Sequence, residues 1–145
     1  MKLYTIGFTK KSAETFFTKL KNSRVSRLID VRLNNVSQLA GFTKKTDLKY
    51  FVHELCHIEY AHMQELAPTQ DILTTYKTEK GDWRVYEQKF LQLMADRKIE
   101  ETITPDQLDN SCLLCSEEKP HHCHRRLVAE YLRDKWGNVE IIHIP

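Results

Sequence analysis

Residues 3–32, LYTIGFTKKSAETFFTKLKNSRVSRLIDVR, hold a strand, a helix and a second strand in one short stretch. Leu3-Tyr4-Thr5-Ile6 is an apolar run closed by Gly7, and Arg27-Leu28-Ile29-Asp30-Val31-Arg32 is the next. Between them Ser12 stands where a helix N-cap belongs, and Phe16, Phe17 and Leu20 recur at the spacing of one buried helical face. A helical crossover returns the chain to the same end of the sheet, so the two strands run parallel.

Outward from this unit the alternation continues. Thr46 can cap a second helix carrying Leu48, Phe51, Val52 and Leu55, followed by a strand at residues 58–62. Pro68-Thr69 opens a helix through Ile72, Leu73 and Tyr76. Gly81-Asp82 stops it and caps a longer one with Trp83, Tyr86, Phe90, Leu93 and Met94 on one stripe. Thr104-Pro105-Asp106-Gln107 combines an N-cap, a proline at the first helical position and a capping-box glutamine. Residues 111–115 form a fourth strand, Leu127, Val128, Tyr131 and Leu132 mark a last helix ending near Gly137-Asn138, and residues 139–144 form a fifth strand. The expectation is an α/β fold: a single domain over residues 1–145, with an open, mostly parallel five-stranded sheet and helices on both faces, a Rossmann-like three-layer arrangement. Ligands bind such sheets outside the carboxyl ends of the strands, which gives every polar cluster a positional test.

A length of 145 residues suits one domain. Hydrophobic residues at 41% and charged residues at 29% are ordinary globular usage, and 4 Gly with 4 Pro are too few for a linker-rich chain. No apolar run reaches the length of a membrane span, and the first residues lack the apolar core of a signal peptide, so a cytoplasmic protein is expected. Four cysteines, Cys56, Cys112, Cys115 and Cys123, then read as reduced thiols. The net charge of +2 hides a segregation. Residues 1–50 carry 11 Lys/Arg against 3 Asp/Glu, while residues 51–118 carry 6 against 14. The basic third points to an anionic partner or to a solvated basic face.

The densest polar cluster runs from Cys115 through Glu117, His121, His122, Cys123, His124, Arg125 and Arg126. It leaves a strand and enters a helix, and so passes the positional test. Arginines at a helix N-terminus oppose the local dipole, an inconsistency that marks a site expecting an anion. Three chemistries compete for the cluster. Cys115 or Cys123 could be a thiolate nucleophile, activated by the helix terminus and neighbouring His or Arg. Cys112, Cys115, Cys123 and His124 are the right types for zinc, but residues 112 and 115 face opposite ways on a strand, and adjacent Cys123 and His124 are awkward ligands for one ion. Small buried thiols are the third possibility.

Asp30 and Arg32 point the same way at the end of their strand, where Arg32 could grip a phosphate or carboxylate and Asp30 could orient it or act as a base; a buried ion pair is the alternative. Gly7, Phe8 and Thr9 leave the first strand at the same edge, with Gly7 permitting close backbone approach. No glycine-rich nucleotide-binding motif is present. His53-Glu54-Leu55-Cys56-His57 matches H-E-x-x-H, yet Leu55 and Phe51 are needed for the core and no third ligand is placed. His62, Glu65 and Pro68 follow the third strand and are positioned to line a pocket mouth.

Tyr4-Thr5-Ile6-Gly7-Phe8-Thr9, Asp30-Val31-Arg32, Leu113-Leu114-Cys115-Ser116-Glu117 and Cys123-His124-Arg125 together resemble the bacterial and archaeal family called domain of unknown function 488. The resemblance spans almost the whole chain and implies an α/β fold, with no activity attached. Leu33-Asn34-Asn35-Val36-Ser37-Gln38 stands where members often continue with Pro and a basic stretch, and Leu66-Ala67-Pro68 stands where many carry a glycine-rich loop. The functional expectation is a small enzyme acting on a phosphate-bearing or otherwise anionic substrate, a small molecule, nucleotide or nucleic acid. Cys115, Glu117, Cys123, His124 and Asp30 are its candidate catalytic residues; Arg32, Arg125, Gly7, Phe8 and Thr9 are its candidate binding residues. No cofactor is required, zinc being the one considered. The rival expectation is a non-catalytic module that binds nucleic acid through the basic third, with the Cys/His cluster serving structure or zinc.

Overall fold

The computed structural model describes residues 1–35, 41–78, 81–117 and 119–145. Five strands, β1 (Lys2–Gly7), β2 (Arg27–Asp30), β3 (Glu59–His62), β4 (Ser111–Cys115) and β5 (Glu140–His143), form one sheet in the order β3-β2-β4-β1-β5. Every pairing is parallel, so the expected mostly parallel sheet is wholly so. The central strand β4 is buried at all five positions, as a strand covered on both faces must be.

The helices divide between the faces. On one side α1 (Ala13–Ser23) and α2 (Lys45–Phe51) pack Phe16, Phe17, Leu20 and Leu48 against Ile6, Leu28, Cys112 and Leu114. On the other, α3 (Gln70–Thr78), α4 (Trp83–Arg97) and α7 (His124–Trp136) bring Ile72, Phe90, Met94, Leu127 and Leu132 against Ile29, Leu113 and Cys115. The short α5 (Ile99–Thr102) and α6 (Pro105–Leu108) lead back to β4. Local signals set several of these boundaries. Ser12 Oγ accepts from the Thr15 backbone N–H, Asp82 Oδ1 accepts from that of Arg84, and Thr104 with Gln107 forms the capping box.

Three local expectations are corrected. Thr46 lies inside α2, whose N-cap is Lys44 without a side-chain bond. Leu55 is 48% exposed, because residues Val52–Cys56 wind into a wider π-helical turn that rotates it out of the core. That turn also removes the one-face spacing from His53 and His57. His53 is exposed beside Glu54, and His57 is the left-handed cap that ends the turn.

The strand order decides where a site can form. From β2 the chain crosses by α2 to β3 on one flank, while from β4 it crosses by α7 over the opposite face to β5 on the other flank. The loops after two adjacent strands therefore diverge, and a crevice opens between them at the carboxyl edge. β4 sits between β1 and β2, unlike the dinucleotide-binding order in which those two are neighbours.

Candidate active site

At that crevice the chain leaves β2 as Val31-Arg32 and β4 as Ser116-Glu117, with Val31 N–H bonded to the Leu114 carbonyl at 3.1 Å. A cavity of about 490 Å³ opens there, lined by Arg32, Cys115, Glu117, Cys123 and His124 among others. Segments around residues 30 and 120 thus share one cavity.

Cys115 ends β4, Cys123 is the N-cap of α7, and His124 is its first residue. All three are at least nine-tenths buried. His124 Nε2 lies 2.7 Å from the Val31 carbonyl, which can only accept, so Nε2 carries a proton and Nδ1 is left facing Cys115 Sγ at 3.6 Å. Burial pushes the Cys115 thiol up, but the bond from Cys123, the charge and bond of His124, and the Arg125 charge more than offset it and hold the group well below the ordinary thiol range. Burial and the neighbouring Cys115 push Cys123 the other way, well above that range. Burial opposes charge on His124, yet Cys115 and the Val31 carbonyl raise it above its usual value. The arrangement favours charge on Cys115 and on His124 and keeps the proton on Cys123 beside them.

The two sulfurs and a ring nitrogen of His124 lie within 4.8 Å of one another. Adjacent Cys123 and His124, expected to be awkward partners for one ion, therefore do converge, because the cap residue and the first helical residue both turn toward the end of β4. Two thiols and an imidazole are donors of the type zinc takes. Cys112 cannot join them, since it packs on the opposite face of the sheet against the α1 layer. Among the described residues, His53 and His57 form no such group.

Arg32 is held in a buried fork: Nε and Nη2 donate to the two Asp30 carboxylate oxygens at 2.9 and 2.8 Å, and Nη2 also reaches the Thr43 carbonyl at 2.7 Å. Asp30 further accepts from the Arg32 backbone N–H and the Tyr60 hydroxyl, so its oxygens are spoken for. Asp30 is placed to orient Arg32 and stands apart from the cavity wall. Arg32 Nη1 is buried without a hydrogen-bond partner among the described residues, and so is Trp83 Nε1. Both residues line the cavity.

Of the other sequence candidates, Arg125 is fully buried and its Nη1 donates to the Glu117 carbonyl at 2.6 Å, which props the loop after β4 from below. Thr9 ties to the same loop through its N–H and hydroxyl, both on the Ser116 carbonyl, and Phe8 lies 5.3 Å beneath the Arg32 guanidinium. A Cβ on Gly7 would fall 1.6 Å from the Glu117 carbonyl oxygen. Arg125, Thr9 and Gly7 shape the loop, Phe8 backs Arg32, and none of the four lines the cavity. Pro68 lines it; His62 instead bonds the Arg32 carbonyl at 2.7 Å, and the Glu65 carbonyl is taken by Arg97.

The aromatic wall escaped the sequence reading. Trp83 stacks on Tyr86 at 4.8 Å and on His122 at 4.9 Å, and Tyr76 meets both Trp83 and Tyr86. In sequence Trp83 and Tyr86 belong to a core stripe, and no spacing separates an aromatic that fills a core from one that walls a cavity.

Val36-Ser37-Gln38, part of the departure from the family pattern, lies outside the described residues. The family model for the domain of unknown function DUF488 matches residues 12–132. Set against the curated proteins and the solved structures, the chain finds no match.

Proposed function

The chain belongs to the family designated domain of unknown function DUF488, and from the geometry of its cavity we propose that it is a small enzyme whose Cys115 thiolate attacks an anionic substrate held by Arg32. One observation carries this reading: His124 Nε2 is committed to the Val31 carbonyl, which aims Nδ1 at Cys115 Sγ at the wall of a cavity that Arg32 also lines. A nucleophile is thereby paired with its base in a cavity shared with an arginine whose Nη1 has no hydrogen-bond partner among the described residues. In this reading Asp30 orients Arg32, His124 returns a proton to the leaving group, and Glu117 lines the cavity at its exposed rim. Arg125, Gly7 and Thr9 hold the loop that follows the nucleophile, and Phe8 backs Arg32.

Iodoacetate and iodoacetamide differ in charge and little else, which makes them a direct probe. At neutral pH and low salt, iodoacetate is expected to alkylate Cys115 several-fold faster than iodoacetamide, and C115S to abolish the modification. The double variant D30N/R32Q removes the guanidinium without stranding a buried charge, and the preference for iodoacetate should vanish in it. An unreactive Cys115, or a preference that survives loss of Arg32, overturns the reading. So does one equivalent of zinc on the purified protein, because a cation would occupy both sulfurs and Nδ1.

A further inference from the structure

The four cysteines are distributed unequally. Cys112 lies on the far face of the sheet, and Cys56 donates to the Phe17 carbonyl at 3.5 Å in the same α1 layer. Cys115 and Cys123 alone of the four line the cavity, and their sulfurs are within 4.8 Å of each other. They differ in surroundings as well. Cys115 touches the imidazole, whereas Cys123 touches Cys115. Each sits at the end of a regular element, one closing β4 and the other opening α7, and the loop between them exposes Glu117 and Lys119 to solvent.

We propose that Cys123 is a resolving thiol, and that the substrate is an anionic disulfide reduced at the expense of a Cys115–Cys123 disulfide. This rests on the reading of Cys115 as nucleophile and names the class of substrate it attacks. Cys115 Sγ attacks one substrate sulfur, forming a mixed disulfide. The first half departs as a thiolate and takes the Nδ1 proton of His124. Neutral His124 then accepts the Cys123 proton. Cys123 Sγ attacks Cys115 Sγ, and the second half leaves, taking the proton back from Nδ1. Two electrons have passed from the thiol pair to the substrate, which is released as two thiols; an external dithiol restores the pair. Arg32 Nη1 and Trp83 Nε1 are donors without partners among the described residues, and both suit a carboxylate or phosphate on the substrate. Tyr76, Trp83 and Tyr86 give the cavity an aromatic wall, which suits an apolar, aromatic body on the substrate.

Dithiobis(nitrobenzoate), an aromatic disulfide bearing carboxylates, is the probe, used on the full chain carrying C56S and C112S. With both site cysteines present, each chain should release both halves of the reagent, end lighter by two hydrogens, and yield a peptide cross-linked through Cys115 and Cys123. C123S should release one half and keep the other on Cys115. C123A repeats that measurement without a buried hydroxyl, and peptide mapping of the unsubstituted chain needs no variant at all. A persistent adduct on Cys115 with Cys123 intact overturns the resolving role while leaving the nucleophile reading in place. Failure of Cys115 to react overturns both.

Discussion

The smallest decisive feature is the hydrogen bond that orients one imidazole ring. Because a backbone carbonyl cannot donate, the Val31 oxygen fixes the proton on His124 Nε2 and leaves Nδ1 to Cys115. Cys115 lies below the ordinary thiol range, so its alkylation should persist through neutral pH and fade only as pH falls through that depressed value. H124Q keeps a donor toward Val31 but removes the charge, and the midpoint of the alkylation profile should rise by about one to three pH units. The Asp30–Arg32 fork carries the largest single stability effect at this scale. Both residues are nearly or fully buried, so D30N leaves a guanidinium uncompensated and should cost about 3–5 kcal/mol in denaturant unfolding. Both residues were visible at a strand end in the sequence. That the carboxylate serves the arginine and takes no part in lining the cavity depends on Tyr60, from a neighbouring strand.

Among elements, the loop joining β4 to α7 is the one whose shape matters most. Its path is set from beneath, by Arg125 on the Glu117 carbonyl, and from beside, by Thr9 on the Ser116 carbonyl and by the bare Cα of Gly7. Gly7→Ala places a methyl inside the Glu117 carbonyl, and backbone cannot step aside as a long side chain can. The expected result is a loss of about 3 kcal/mol or more in thermal or denaturant unfolding, together with slowed Cys115 alkylation as the loop shifts. Unchanged alkylation would show that the loop does not set the nucleophile's position. Helix caps at Ser12, Asp82 and Thr104 were legible because they are local hydrogen bonds between near neighbours. The π-helical turn at Val52–Cys56 was not, since it follows from how that segment packs on the α1 layer, and the misplacing of Leu55 follows from it.

Over the whole molecule, burial of thiols and phenols governs alkaline stability. The fold keeps Cys112 and Cys123 protonated by burial, as it does Tyr60 and Tyr86, whereas the unfolded chain ionises them in their ordinary ranges. Groups raised in this way contribute fully below the unfolded value and lose their contribution as pH climbs beyond it. Stability should therefore fall above about pH 8.5, and C112A should remove up to about 1.4 kcal/mol per pH unit of that slope. Charge is partitioned too: Lys10, Lys21, Lys44, Lys45 and Lys49 are exposed and none of them lines the cavity. K44E/K45E should weaken any salt-sensitive binding to DNA while leaving the rate of Cys115 alkylation unchanged; a matching loss of both would join the basic face to the site. The sequence by itself determined the alternation of elements, most caps, the parallel sheet and the residue types gathered at the strand ends, because periodicity and capping act between near neighbours. Only the tertiary structure decided the strand order, the turn of His124 toward Cys115, the approach of Cys123, and the aromatic wall. Each of those depends on distant segments meeting, and no local spacing encodes which side of a packed residue is left open.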